Sequence, residues 1–300
     1  MKRKKSRQSH RRVLPKLQLG WMRSLRLWMA IAWIGTFAAI AYGLQRLEPY
    51  VSSINTAETV IEWANPPDWL RDENWKHVLP ELEARIGLYP DTDLFDERVC
   101  PYAAEQLAGS PWVARVRRVA KQPDGRVRVY CDLRKPFAMI EVGRLAYLVD
   151  DKGVRLPQQW ACKSVNRGGW LVIRGVDGPI PRPGQRWTGD DVAAGLNLAR
   201  FLYRAEAAGR TPFRSEIRAI DVSNFDGKKE PRAGRLRLIT TNPQSYIHWG
   251  LPPGEEYGIE GEAELKLAML GKLYAAYDRF PDRGPIDVRS QDGIGLGEPE

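Results

Sequence analysis

His10, His77 and His248 are the only histidines in the chain, and none stands beside a residue that it could activate. Nucleophilic catalysis needs a base within hydrogen-bond reach of the nucleophile. The chain has no G-x-S-x-G elbow, no H-E-x-x-H helix and no P-loop. The paired carboxylates are Asp190-Asp191 and Glu255-Glu256. Each pair falls at a helix start or a turn, where acids suit the helix dipole. Cys100, Cys131 and Cys162 are odd in number and too widely spaced for a zinc knuckle, so at most one disulfide is available. Gly293, Gly295 and Gly297 lack the lysine and following helix of a phosphate loop. The sequence thus nominates no catalytic residue, no metal ligand, no cofactor and no small-molecule substrate. A membrane-anchored extracytoplasmic hydrolase would require a cleft of perturbed acids or a metal.

The elements that position these residues begin with an uncharged run, LWMAIAWIGTFAAIAYGL, that starts at Leu27 and ends at Leu44. Its eighteen residues form a helix of roughly 27 Å, enough for a thin hydrocarbon core. Ten Lys or Arg precede it, no acid occurs before Glu48, and Trp21 and Tyr50 flank it. Basic residues are retained on the cytoplasmic side. The expected topology is a single-pass protein of the inner (cytoplasmic) membrane, with its N-terminus in the cytoplasm and its bulk outside. A cleaved signal peptide is the rival reading, since Ala39-Ile40-Ala41 looks like a cleavage site. The apolar run is longer than a signal peptide needs and continues past Ala41.

Charge changes meaning once it is divided. The first 47 residues carry eleven of the 46 Lys and Arg and no acids, leaving 35 bases against 37 acids in the remainder. The tail therefore reads as a topology signal that also touches anionic lipid. A nucleic-acid partner would need a basic stripe in the folded part, and the near-neutral total gives none.

Beyond a polar stem at 45–56, a strand at 59–63 leads to two helical stretches, about 72–87 and 93–108, with Pro80 and Pro101 in their first turns. A strand at 112–121, a Pro123-Asp124-Gly125 turn and an alternating strand at 127–133 complete a β-α-α-β-β unit, with Cys131 on its apolar side. Further strands are expected at 145–149, 170–174, 217–222, 235–240, 245–249 and 286–289, with a hairpin turn at 150–153. Two helices fall between them. Thr188 is the expected cap of the first, which turns Val192, Leu196, Ala199 and Leu202 to one face. The second, 261–279, aligns Ala263, Leu267, Leu270, Tyr274 and Tyr277. Without a β-α-β rhythm, the second half reads as a mostly antiparallel sheet with two helices on one face. The fold class is α+β behind a single transmembrane helix. The expected segments are a tail at 1–26, a transmembrane helix at 27–44, a stem at 45–56, a first domain at 57–140 and a β domain at 141–300.

Several of these residues resemble the FtsQ/DivIB family of cell-division proteins. Pro111-Trp112-Val113, the Pro123-Asp124 turn, and Asp132 ahead of Pro136-Phe137-Ala138 are similar to the close of that family's POTRA domain. Tyr147-Leu148-Val149-Asp150 with Gly153 resembles its next hairpin, and Ile286-Asp287-Val288-Arg289 its terminal strand. The chain departs from the pattern at Gln122, where an aromatic is usual, and at Asp132, where Glu is usual. One extra residue also precedes Pro136, and the loops at 223–233 and 251–260 are long.

The resemblance implies a non-enzymatic bitopic scaffold at the division septum. It would bind other single-pass coiled-coil division proteins, of the FtsB and FtsL kind, by strand addition at an open sheet edge. The expected edge is 284–296, with Ile286 and Val288 on one face, Asp287 and Arg289 on the other, and Ile294 beyond. If the outer face is open, reversing the charge of Arg289 disturbs a partner and not the core. The rival is a POTRA-type chaperone or secretion component for exported chains.

Overall fold

The computed structural model describes residues 18–54, 60–87, 97–122, 124, 126–162, 169–227, 229–231, 235–242, 244–282 and 284–296. Residues 1–17 of the basic tail, the end of the stem and the start of the first domain at 55–59, and Pro123 and Gly125 of the turn lie outside them.

Helix α1 (Gln18–Ile54) contains a stretch, Leu27–Arg46, long and apolar enough to cross a membrane, with a mean hydropathy of 1.7. Leu27 and Leu44 are both exposed, as they would be on a lipid-facing helix. Thr36 Oγ1 donates to the Ala32 carbonyl at 2.8 Å, so its hydroxyl is satisfied within the helix. The stem expected from residue 45 is helical as far as Ile54. A helix already nucleated by the apolar run propagates cheaply through Gln45, Arg46 and Leu47, all good helix formers.

From Val60 onward the described chain is a separate compact unit. A three-stranded sheet has the order β1-β3-β2, from β1 (Ile61–Trp63), β2 (Val113–Lys121) and β3 (Val127–Leu133). Strand β1 runs parallel to β3, and β2 runs antiparallel to it with two register shifts. Helices α2 (Val78–Ile86) and α3 (Val99–Ala108) lie between β1 and β2 in sequence. The helix expected at about 72–87 begins only at Val78: a 3-10 turn at Asp68–Arg71 precedes the stretch, and residues 73–77 are turns. Val78, Leu82 and Ile86 repeat every four residues and are buried, and Gly87 ends the helix at φ +64°. The Arg85 guanidinium donates to the carbonyls of Gln106 (2.7 Å) and Gly109 (3.1 Å), serving the open end of α3.

Nine strands form the large sheet, in the order β12-β11-β10-β9-β8-β7-β4-β5-β6. They are β4 (Ala138–Val142), β5 (Leu145–Val149), β6 (Arg155–Ala161), β7 (Val172–Arg174), β8 (Ile217–Asp221), β9 (Leu236–Thr240), β10 (Ser245–Gly250), β11 (Gly284–Asp287) and β12 (Gly295–Leu296). Helices α4 (Asp190–Ala207) and α5 (Ala263–Tyr277) complete the unit. Five of the eight pairings are antiparallel; β4-β7, β7-β8 and β10-β11 are parallel. The sheet is therefore mixed, and β7-α4-β8 and β10-α5-β11 are the β-α-β units that the sequence reading did not find. Each helix supplies the crossover length that a parallel return requires.

Two more expectations fail here. The boundary at 140/141 falls inside β4, a strand hidden in sequence because its apolar run begins only one residue after Pro136. Helix α4 is not capped by Thr188: Gly189 holds the cap position, without a side-chain hydrogen bond.

Alternation along β4, β5, β7 and β8 feeds two separate cores. Ile140, Val149, Ile173 and Ile220 join one core with Leu196, Leu202, Leu267 and Leu270 of α4 and α5. Their neighbours Met139, Leu148, Val172 and Ala219 join a second core with Leu82, Leu107, Trp75 and Trp112. Successive side chains of a strand point to opposite faces. The small sheet's helical layer therefore packs on the face of the large sheet opposite α4 and α5. Trp112 is fully buried, with the Trp69 and Trp75 rings at 6.3 and 6.0 Å. Its indole N–H donates to Glu81 Oε2 at 3.3 Å.

Between the sheets, Arg134 Nη1 donates to Asp150 Oδ2 at 2.8 Å, and the Asp150 side chain is only 3% exposed. The other carboxylate oxygen accepts the N–H groups of Val154 (2.7 Å) and Lys152 (2.9 Å), which shapes the β5–β6 turn. We expect Asp150→Ala to cost about 3–5 kcal/mol, because it removes the buried carboxylate that a half-buried guanidinium and two backbone donors depend on. Arg71→Ala, which breaks an exposed pair with Asp68, should cost under about 1 kcal/mol. Urea unfolding of the detergent-solubilised full chain measures both, and equal costs would remove Asp150 from its structural role.

Candidate docking edge and the charged row beside it

Strand β11 starts at Gly284, whose φ of +85° favours glycine, and lies parallel to β10. Ile286 and Val288 are fully buried in the helix-side core, and Ile294 packs partly against it. Asp287 faces the other way. It accepts the Arg289 backbone N–H at 3.0 Å, a local bond that competes with the ladder where β11 ends. Strand β12 then returns antiparallel, with Leu296 opposite Ile286 and Gly295 opposite Asp287. A Cβ on Gly295 would lie 3.4 Å from that of Asp287, an ordinary van der Waals contact, so the two strands lie close but have room for a small side chain there. β12 terminates the sheet order, and Leu296 is 59% exposed.

The expected edge at 284–296 therefore divides in two. Residues 284–287 are an interior strand, hydrogen-bonded on both sides, and only β12 offers an open rim. The expected alternation of 286–289 is present, yet its outer face is not bare. The Arg289 guanidinium grips Asp287 through Nε (2.9 Å) and Nη2 (2.6 Å), and both side chains are about one-third exposed. Reversing the charge of Arg289 would set carboxylate against carboxylate, with Glu260 nearby, so it would disturb the fold as well as any partner.

Cross-strand register explains that pairing. Arg174, Asp221, Arg237, His248 and Asp287 stand opposite one another in sequence across β7 to β11. The row alternates in charge, with Arg174–Asp221 at 3.5 Å and Arg237 paired to Glu230 at 2.5 Å. Tyr246 stacks edge-on to His248 at 5.2 Å and lies under the Arg237 guanidinium. Burial pushes the His248 imidazole below its ordinary pKa, and the positive charges of Arg289 and Arg237 push it the same way. For Asp287, burial alone would raise the carboxyl, but the hydrogen bonds from Arg289 outweigh it and hold it low. The hydrogen bond from Arg237 lowers Glu230 likewise.

Behind this face, Lys266 of α5 is fully buried. Its Nζ contacts Glu260 Oε1 at 2.5 Å and Glu256 at 4.0 Å, and it lies 5.4 Å from the Trp249 ring. The same Glu260 oxygen accepts the Leu251 N–H at 2.6 Å. This buried pair anchors the long 251–260 loop. The loop's far end pairs with the β11–β12 connection: the Gly261 N–H donates to the Arg289 carbonyl (2.7 Å), and the Gln291 N–H to Ile259 (3.3 Å). Glu256 thus belongs to a buried ion cluster and not merely to a turn, while Tyr277, expected on the inner stripe of α5, is 63% exposed.

The remaining motif residues serve structure. Pro111 precedes the buried Trp112 and Val113, and Pro136 is buried ahead of β4. Asp124 accepts the Arg126 N–H at 3.2 Å, and Asp132 pairs with Arg117 at 2.7 Å. Asp190 and Asp191 occupy the first turn of α4. Cys100, Cys131 and Cys162 are free thiols, and burial pushes Cys131 up to about 11. A cleft of about 1050 Å³ opens at the junction between Asp132, Arg134, Asp150 and Trp170; its described lining holds no histidine, cysteine or serine. Arg174, Asp221, Glu230, Arg237 and Lys266 were not singled out from sequence. Polar alternation in three strands was the available signal, but cross-strand register was not.

No protein-family model and no curated protein matches the chain.

Two outcomes follow from the electrostatics. A histidine whose folded pKa is depressed favours the neutral form, so its contribution is intact above pH 6.5 and is lost as pH falls below it. Chemical unfolding should show stability declining below pH 6.5, and His248→Gln should flatten that part of the profile. An unchanged slope would mean that His248 is not responsible. Lys266→Met leaves Glu260 and Glu256 without their cation and should cost about 3–5 kcal/mol. Faster proteolysis of the 251–260 loop should accompany that loss; a stable variant with a resistant loop would contradict the anchoring role.

Proposed function

We propose that this chain is a membrane-anchored, non-catalytic scaffold of the FtsQ/DivIB type that binds single-pass coiled-coil division proteins by adding a strand to β12. In this reading the first domain, expected at 57–140, is the POTRA domain, the tail is cytoplasmic, and the compact unit works outside the membrane at the septum. The observation that carries it is the rim itself. β12 ends a nine-stranded sheet with no further strand partner among the described residues, and it presents exposed Leu296 beside that rim. A partner strand would satisfy outward backbone groups, while side-chain pockets select it. The order of the motifs and the basic leader before an apolar helix support the same reading.

The deciding variant is Leu296→Pro, which removes a ladder donor at the rim without touching the core. Partner recovery from crosslinked membranes should fall about ten-fold, equivalent to about 1.4 kcal/mol, while the chain melts within a few degrees of wild type. Recovery equal to wild type would overturn the proposal.

A further inference from the structure

The near-neutral charge of residues 48–300 conceals a segregation that the fold turns into a surface. Residues 60–109 carry eleven acids and four bases, whereas residues 113–135 carry eight bases and two acids. The second stretch is the β2–β3 hairpin and its exit. The apolar residues of β3, Val127 and Val129, are buried, so the alternating Arg128, Tyr130 and Asp132 face away from α2 and α3. Register places Ala120, Arg118 and Arg115 of β2 against these three. The outer face of the small sheet is therefore basic with one tyrosine in it, contrary to the expectation that the folded part holds no basic stripe.

Ion pairing neutralises only part of this face. Arg128 pairs with Glu62, Arg117 with Asp132 and Arg126 with Asp124. Arg115 and Arg118 are exposed, and neither has an ion pair among the described residues. The large sheet's charged row differs, since its arginines and acids alternate and pair with one another.

We propose that this outer face binds the anionic phosphate headgroups of a lipid bilayer. The charge is complementary, and bases near an anionic leaflet each contribute to adsorption. Tyrosine is enriched at the headgroup level. The same chain carries a helix able to cross a membrane, and β1 begins seven residues after that helix ends, so a bilayer that holds α1 keeps this face at high local concentration. Strand addition is the poorer use of β2, because its two register shifts disrupt an edge that a partner strand would need to be regular. This inference does not depend on the docking role of β12.

The test uses the full chain reconstituted in vesicles of phosphatidylcholine alone or in equimolar mixture with phosphatidylglycerol. Arginine modification by phenylglyoxal is followed residue by residue with mass spectrometry. Arg115 and Arg118 should react about five-fold more slowly in the anionic vesicles at low salt, and the difference should vanish at high salt. Arg71 and Arg279, both exposed, serve as controls and should be unaffected. Arg118→Gln should restore most of the Arg115 rate; if that variant unfolds, the wild-type salt series decides alone. Equal rates in the two vesicles, or equal slowing at the controls, would overturn the proposal. So would protection by soluble polyglutamate or an oligonucleotide in neutral vesicles, which would assign the face to a protein or nucleic acid instead.

Discussion

Strand alternation in the middle of the large sheet is the constraint on which the rest of the structure depends. Along β4, β5, β7 and β8 both sets of side chains are apolar, so neither face can be left in water. α4 and α5 cover one, and the helical layer of the small sheet covers the other. This is why the two sheets form one compact unit despite a sequence that reads as two domains. Toward β9, β10 and β11 the second face turns polar, and the covering layer is replaced by charge pairs.

Electrostatics then divides the molecule into places where charge is spent inside and places where it is displayed. Asp150 with Arg134, and Lys266 with Glu260, are pairs in which at least one member is withdrawn from water. Such pairs stabilise little relative to apolar packing, but losing one partner is severe. Both join a loop to a helix or strand end, so their effect is to specify where the β5–β6 turn and the 251–260 loop must lie. The small sheet's outer face follows the opposite logic, with exposed arginines in excess of acids.

Sheet edges show how the fold limits unwanted pairing. Strand β6 contains Pro157, and its first residues are met by the 184–186 segment through Arg155. β2 is interrupted by two register shifts, and β1 is three residues long and followed by Pro66 and Pro67. β12 is also short, yet it has no covering segment among the described residues and shows an exposed leucine. That asymmetry makes it the most accessible rim.

The sequence alone determined the features whose cause is local. The apolar run specified a helix long enough to cross a membrane, because hydrophobic length is readable without any tertiary contact. Clean alternation specified β3, an apolar run before a turn specified β5, and apolar spacings of three and four residues specified α4 and α5. The Asp150–Gly153 turn was legible through its turn residues. Only the tertiary structure decided what depends on neighbours distant in sequence. The row from Arg174 to Asp287 exists because five strands share one register, which no single strand encodes. Lys266 stands off the apolar stripe of its helix in sequence, and its burial follows from its pairing with Glu260 of the 251–260 loop. The place of β11 inside the sheet, and of β12 at its rim, followed from the parallel return through α5. The physical reason is the same in each case: propensity and periodicity act within a few residues, whereas burial and charge pairing act on whichever side chains the chain's topology brings within a few ångströms.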